Sequence, residues 1–542
     1  MDPLRLMGLP ELNAMVARHL ACQDRHACAL VSQAWYAAYN PLAWSTFLVK
    51  KLPSTEDATA HTSSGHSDSE PDPLCRTCSW RHTIIKNSSH IRNLVFHVLP
   101  KDSLLDEFLD LLSERCTLLK SIKYPSYALG SRRWPSFGDM VDRNPQLQSL
   151  TTNVLECLKQ SLVLSNLRIL DANMRLSIDD FQCLMDAFPR LEEIHFSLSH
   201  SDHSRLVDVE TGMERRDQTQ MRPPPLKELY LSHMDGAADW GALLARCPNI
   251  EFLHITGLRV IQTSFHKTTF DLLNSGILSR LTSLSFEYTA DSIVTLFLAA
   301  LPPHQLRSLR MGHNTMSVVP IVAERHSQRL EHLVLALDIG TMKPLMAVLA
   351  KCSALKTLQV TPITIGGRFD LRQIIEQPWA CTLLETLDIP IWLPHSRLEA
   401  SSRPSEATTE PPKTTCLADS LKDPIQAECV FMERLGRLTR LRHLVLSGRP
   451  HGQREVNDMS WRLPAGLDQL HGLKRMQVLE LGYRLYDQGI AELEWMKANF
   501  TSLLKLVVYR IQEEPIREWL RIHWPELKVV ELAAIGAQAS CG

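Results

Sequence analysis

The sequence predicts an α/β fold built by repetition: short parallel strands alternate with helices in a curved solenoid, after a small three-helix module at the N-terminus. Three observations predict it. The pattern apolar-x-x-apolar-x-apolar recurs along most of the chain. The segments between its copies carry apolar residues at three- and four-residue spacing. The chain has 542 residues, too many for one compact core unless the core grows by stacking similar units.

The strand pattern begins with IRNLVF at Ile91, LLKSIK at Leu119 and LQSLTT at Leu147. Clearer copies follow: LRILDA at Leu167, LEEIHF at Leu191, LKELYL at Leu226, IEFLHI at Ile250 and LTSLSF at Leu281. Then come LRSLRM at Leu306, LEHLVL at Leu330, LKTLQV at Leu355 and LETLDI at Leu384. The series ends with LRHLVL at Leu441, MQVLEL at Met476, LLKLVV at Leu503 and LKVVEL at Leu527. Each copy alternates with period two in its second half, so it reads as a strand with one buried face. This is the strand signature of leucine-rich repeats.

The intervening segments IDDFQCLMDAFP, DWGALLARCP, MKPLMAVLAKCS and GIAELEWMKANF have the spacing of amphipathic helices. Three positions before the strand's first anchor stands a large or soft apolar residue: Cys116, Phe188, Cys247, Cys352, Cys381, Phe500 or Trp524. A fixed slot inside a repeat makes these cysteines packing residues rather than metal ligands or redox centres.

Stretches rich in Ser, Thr, Pro and charge interrupt the series at 53–73, 199–225 and 394–424. They lack the apolar surface that would offset the entropy of ordering, and are expected to be mobile loops. The strand spacing doubles across the last, which leaves room for a further, degenerate repeat. The chain thus divides into a helical module over 1–50, a polar linker over 51–83 and a solenoid over 84–542, with inserts near 199–225 and 394–424.

Composition narrows the function classes. Apolar residues make up 44% of the chain and charged residues 22%, as in soluble globular proteins. The net charge of −2 supplies no global basic field for nucleic acid or an anionic membrane. The most apolar run, Ile293 to Leu301, is far below the roughly 18–20 residues that cross a bilayer. MDPLRLMGLPEL lacks the features of a secretory signal, so a cytoplasmic or nuclear location is expected. There, thirteen cysteines, most of them scattered singly, act as small hydrophobes.

No enzyme chemistry stands out. Cys75-Arg-Thr-Cys78, with His61, His66 and His82 around it, lacks the second ligand pair of a zinc site. Gly366-Gly367-Arg368 lacks the Lys-Ser/Thr of a phosphate loop. No nucleophile elbow or HExxH occurs. No catalytic residue, metal or cofactor is expected.

The N-terminal module reads as three short helices. Leu12, Met15, Val16 and Leu20 form one stripe after Pro10; Asp24 is a candidate N-cap for a second helix; a third includes Trp35 and Tyr36 and is closed by Pro41. Three such helices bury little core, so the module is expected to dock onto something larger.

This stretch resembles the F-box. Leu9, Pro10 and Glu11 match its opening, Asp24 the start of its second helix, Val31, Ser32 and Trp35 its central signature, and Pro41 and Trp44 its end. Arg25 departs from the family, which usually has Leu after the Asp. The resemblance covers roughly a tenth of the chain. It implies a substrate receptor of an SCF-type cullin–RING ubiquitin ligase. The module would bind the Skp adaptor, and through it cullin, with Leu9, Pro10, Leu20, Leu30, Val31, Trp35 and Trp44 as contact or support residues. The alternative is a leucine-rich interaction scaffold whose F-box-like segment caps the first repeat.

Target recognition is expected on the solenoid's concave face, at the strand positions two, four and six after the first anchor. These include Glu193, His195, Glu228, Tyr230, Phe252, His254, Ser285, Glu287, Arg310 and Tyr509. Among them His195, Glu228, Tyr230, Phe252, His254, Arg310 and Tyr509 are the candidate target contacts. Tyr230, Phe252 and His254 stand out, because aromatic residues on an exposed row anchor partners well. The row's mixture of acids, bases and aromatics suits a protein ligand.

Overall fold

The computed structural model describes residues 20, 22–29, 39–49, 84–96, 102–123, 134–152, 164–198, 225–232, 240–258, 273–312, 317–337, 342–362, 369–392, 423–446, 461–481, 489–508, 511 and 513–531. The chain divides into two compact units, Met1–Ile250 and Glu251–Gly542.

In the first unit, strands pair in parallel in chain order: β1 (Thr46–Val49), β2 (Asn93–Phe96), β3 (Ser121–Lys123), β4 (Ser149–Thr152), β5 (Ile169–Leu176), β6 (Glu193–Leu198) and β7 (Glu228–Ser232). The second unit repeats the scheme. Its ladder runs through β8 (Phe252–Thr256), β9 (Ser283–Glu287), β10 (Ser308–Met311), β11 (His332–Leu337) and β12 (Thr357–Pro362). A separate two-stranded pair, β13 (Phe369–Asp370) and β15 (Ile391–Trp392), flanks β14 (Thr386–Asp388). The main ladder continues from β14 through β16 (His443–Val445), β17 (Val478–Glu480), β18 (Lys505–Val508) and β19 (Lys528–Glu531). Each apolar motif coincides with a strand, and the four helical segments form helices at Ile178–Ala187, Trp240–Ala245, Met342–Lys351 and Ile490–Asn499.

The register explains the core. Leu94, Ile122, Leu150, Leu170, Ile194 and Leu229 stand side by side across the first ladder and are buried. Leu253, Leu284, Leu309, Leu333, Leu358 and Leu387 do the same in the second. Each such side chain contributes about 1.5–3 kcal/mol of burial free energy. The helix-end slot behaves as the sequence implies. Cys116, Phe188, Cys247, Cys352, Cys381, Phe500 and Trp524 are all buried. Burial pushes the thiols of Cys116, Cys247, Cys352 and Cys381 up to about 12, which leaves them protonated and unreactive.

One repeat fills the slot differently. Asn144, three residues before Leu147, is fully buried. Its Oδ1 accepts from the Leu119 N–H at 2.7 Å, and its Nδ2 donates to the carbonyls of Cys116 at 2.8 Å and Met140 at 2.7 Å. A single amide thus satisfies backbone groups from two repeats.

Just after the first anchor runs a regular backbone joint. The Arg307 carbonyl accepts from both Glu331 and His332 N–H groups, and the Glu331 carbonyl from both Lys356 and Thr357. The same fork recurs at Lys356, Glu385, Arg442 and Gln477. From Arg307 through Glu331, Lys356 and Glu385 to Arg442 the side chains at this position alternate in sign. Glu331 pairs with Arg307 at 3.9 Å and Lys356 at 2.5 Å, and Arg442 pairs with Glu385 at 3.8 Å. In the first unit Glu192 pairs with Arg168 at 3.7 Å and Lys227 at 3.2 Å.

The structure departs from the sequence reading in three places. β14 and β16 pair directly through Thr386↔His443, so among the described residues no further ladder strand stands between them; residues 393–422 of the doubled spacing lie outside the described residues. The helix carrying Asp24 spans Cys22–Ala29, which puts Asp24 in its first turn rather than at its N-cap. A carboxylate there still favours the positive end of the helix dipole. Pro41 lies within helical residues 39–43 instead of closing them. The turn continues because the Trp44 N–H donates to the Asn40 carbonyl at 3.0 Å, a bond that does not need proline's missing donor.

The second unit contains a pH-sensitive residue. His326 ends a π-helical turn, Val322–His326, and is fully buried. Its Nε2 donates to the Leu298 carbonyl at 3.2 Å, while its Nδ1 has no partner. Burial lowers its pKa below 6.5, and the charges of Arg325 and His304 act in the same direction against the Leu298 contact. Above pH 6.5 the ring is neutral whether the chain is folded or not. Below it the unfolded chain takes up a proton that the folded one resists. Stability is expected to fall with acidification at up to about 1.4 kcal/mol per pH unit, starting near pH 6.5. Melting curves from pH 7.5 to 5.5 check this, and His326→Leu is expected to flatten that part of the profile.

Candidate functional site

Two stretches of the strand face carry the predicted target contacts, one in each unit. In the first unit His195 and Tyr230 occupy matched positions on β6 and β7, and their rings stack with centroids 3.7 Å apart and planes 14° apart. Each ring is braced by a carboxylate on its own strand. His195 Nε2 contacts Glu193 Oε1 at 2.7 Å, and the Tyr230 hydroxyl donates to Glu228 Oε2 at 3.0 Å. The residues two apart on a strand point to the same side, which is why the sequence spacing brings acid and ring together. Burial, the hydrogen bond to Glu228 and the negative charges of Glu228 and Glu193 all push the Tyr230 phenol above its usual 10, so it remains a donor.

In the second unit His254 sits on β8 with Phe252. Its Nδ1 meets the Ser285 hydroxyl at 2.9 Å and its Nε2 the Thr256 hydroxyl at 2.7 Å. His254, Ser285 and Arg310 fall in one row across β8, β9 and β10. Ser285 was expected on the exposed face and is 3% exposed, because it pairs with His254 and stands between strands with larger neighbours on both sides. Arg310 lies 3.6 Å from Glu287. Beside that pair is a hollow of about 240 Å³ lined by Glu287, Tyr288, Arg310, Gly312, Leu335 and Thr361. Tyr288 is 52% exposed and has φ of 52°, a left-handed conformation unusual for a bulky residue. Nothing in the period-two pattern marks Tyr288, which lies one residue past the strand. Tyr509 lies outside the described residues.

At the N-terminal end, Leu20, Cys28 and Leu42 pack against buried Tyr39. Arg25, the departure from the F-box pattern, ties this packing together: its Nε donates to the Leu20 carbonyl at 2.9 Å and its Nη1 to the Leu42 carbonyl at 3.3 Å. A long side chain that covers apolar surface and ends in several donors can replace a leucine here. Trp44 is half-buried and stacks on Phe47, which stacks in turn on Phe108. The Ser45 carbonyl accepts from Arg92 and Asn93, and β1 pairs with β2. Leu9, Pro10, Leu30, Val31 and Trp35 lie outside the described residues.

Among the described residues no three His, Cys, Asp or Glu are grouped to hold a metal ion, and no helix is long and apolar enough to cross a membrane. With their parallel ladders of buried leucine-type anchors, both units are α/β repeat structures of the leucine-rich type, and the strand face offers polar and aromatic side chains. No family model and no curated protein matches the chain. Among solved structures it is similar to a chain of the TLR13–ssRNA13 complex, with a TM-score of 0.31 and 14% identity over 81% of this chain and 65% of that one. The chain thus spans just under two thirds of that protein's length. It is also similar to a chain of the Rad7 and Elc1 complex in yeast, with a TM-score of 0.34 and 12% identity over 87% of this chain and 100% of that one.

Proposed function

We propose that the protein is the substrate-recognition subunit of an SCF-type cullin–RING ubiquitin ligase. The N-terminal module docks on the Skp adaptor and the strand face holds a target protein, so that ubiquitin transfer follows from proximity. The observation that carries this reading is the run of F-box positions, Leu9-Pro10-Glu11, Asp24, Val31-Ser32, Trp35, Pro41 and Trp44, placed directly before a leucine-rich ladder. The tethering of Arg25 removes an objection to it, because the residue that breaks the pattern supports the local packing. No chemistry is assigned to the chain itself. Its part is to bind, and it acts in the cytoplasm or nucleus.

Co-purification with a Skp adaptor tests the proposal. The intact protein is expected to retain the adaptor, and Trp35→Ala to weaken retention by about tenfold or more, as loss of a buried aromatic anchor does. No retention by the intact protein, or retention indifferent to Trp35→Ala, sinks the ligase reading.

A second reading is favoured by the contacts around β1. The Trp44–Phe47–Phe108 stack and the β1–β2 pairing let the segment close the end of the first ladder. On that reading the segment is a cap, and deleting residues 1–50 costs solubility without costing a partner.

A further inference from the structure

The β5–β7 face of the first unit gathers three carboxylates on adjacent strands. Glu193 and Glu228 stand directly opposite each other across β6 and β7. Asp171 stands opposite His195 on the other side, across β5 and β6. Like charges on directly opposed strand positions repel. Among the described residues, no lysine or arginine forms an ion pair with Asp171, Glu193 or Glu228; Glu193 meets His195 Nε2 at 2.7 Å, and the lysine and arginine pairs of this face lie one residue earlier, at Arg168, Glu192 and Lys227. Arg175 lies opposite Ser197, beyond the irregularity in β5 that follows Asp171. Two residues along from the Glu193–Glu228 pair, in one row with Asp171, stand the stacked rings of His195 and Tyr230, both partly exposed.

We infer that this face receives a basic, arginine-bearing segment of a partner protein, with one guanidinium against the His195–Tyr230 pair between Glu193 and Glu228 and a further basic residue reaching Asp171. The inference rests on the target-recognition half of the proposed function and names the chemistry of the target. A guanidinium is planar, stacks on aromatic rings and bonds carboxylates with two parallel donors. It answers all three elements of the face at once. A bound metal ion does not, since these carboxylates do not converge on a point. They are spread across three strands spaced about 4.8 Å apart, a span that an extended segment crosses.

The test uses the intact protein without adaptor and a fluorescein-labelled Gly-Ser peptide carrying three arginines, with lysine and glutamate versions as comparisons. Anisotropy is expected to show binding by the arginine peptide, weaker binding by the lysine peptide, none by the glutamate peptide, and loss of affinity with added salt. The double variant Glu193→Gln, Glu228→Gln is expected to weaken binding about tenfold or more, with a melting temperature equal to or above the parent's because the opposed charges are gone. Asp171→Asn provides a separate, isosteric check and is expected to weaken binding about threefold. The inference is overturned if the arginine peptide does not bind, if binding survives either change undiminished, or if calcium alone displaces the peptide and raises the melting temperature of the parent but not of the double variant. Adaptor retention is measured on the same preparations. Failed peptide binding with the adaptor retained counts against this inference alone, and failed adaptor retention counts against the ligase reading alone.

Discussion

Asn144→Ala is expected to destabilise the first unit by about 3 kcal/mol or more. The variant strands the Leu119 N–H and takes away the donor shared by the Cys116 and Met140 carbonyls, all in a fully buried position. An unsatisfied buried backbone group costs roughly 1–3 kcal/mol, and water has no access to replace the amide. Hydrogen exchange of the Leu119 amide reads the effect locally, and protection should drop about a hundredfold. Asn144→Asp separates the two roles. It keeps the acceptor for Leu119 but loses both donors and introduces a buried charge, so it should be no milder than alanine. Near-parental protection in either variant would show that the amide is not what joins these repeats.

Gly436→Ala is expected to cost the second unit about 3 kcal/mol. Gly436 ends the helix Pro424–Gly436 and packs on the turn at Leu467–Gly472. A Cβ at this position would stand 2.3 Å from the Gln469 carbonyl oxygen and 3.2 Å from its carbon. Both are backbone atoms, so relief requires the turn to move rather than a side chain to rotate, and overpacking of that kind costs about 1–3 kcal/mol or more. Gly489→Ala is the comparison. Its Cβ would meet the Glu492 carboxylate at 3.0 Å, the far end of a flexible side chain that caps the Gly489 N–H at 2.9 Å and can shift by a few tenths of an ångström, and the cost should stay below about 1 kcal/mol. Thermal melting of both variants checks the contrast; equal shifts would contradict it.

These two positions mark where sequence reasoning stops. The ladders were legible because their anchors repeat: Leu170, Ile194 and Leu229 are apolar, spaced alike, and end up in register. The slot before each anchor was legible where it is apolar, as at Cys247 or Phe500, and invisible at Asn144, where a polar residue serves the same joint by hydrogen bonding. The Gly436–Gln469 contact joins residues from different repeats through backbone atoms, and backbone proximity leaves no mark on residue type. β1 was missed because TFLV carries only one fully buried position, Val49. On the strand face, position gave away His195 and Tyr230, since residues at equal offsets from their anchors become neighbours. The same rule placed Ser285 and Arg310 in one row. It could not tell that Ser285 is covered, because burial of a small hydroxyl depends on the size of its neighbours.

The alternating charges beside the backbone forks from Arg168 to Lys227 and from Arg307 to Arg442 bear on how the chain finds its order. Repeats that look alike invite a misfolding error in which one unit is looped out and its two neighbours join directly. Omitting the repeat of Glu331 would set Arg307 against Lys356; omitting that of Lys356 would set Glu331 against Glu385; omitting that of Glu385 would set Lys356 against Arg442. In the first unit, skipping Glu192 would bring Arg168 onto Lys227. Each of these omissions sets like charges together. Each exposed pair adds under about 1 kcal/mol to the finished fold. The same charges act as a parity check, favouring assembly in which each repeat meets its neighbour in the chain over assembly that leaves one out.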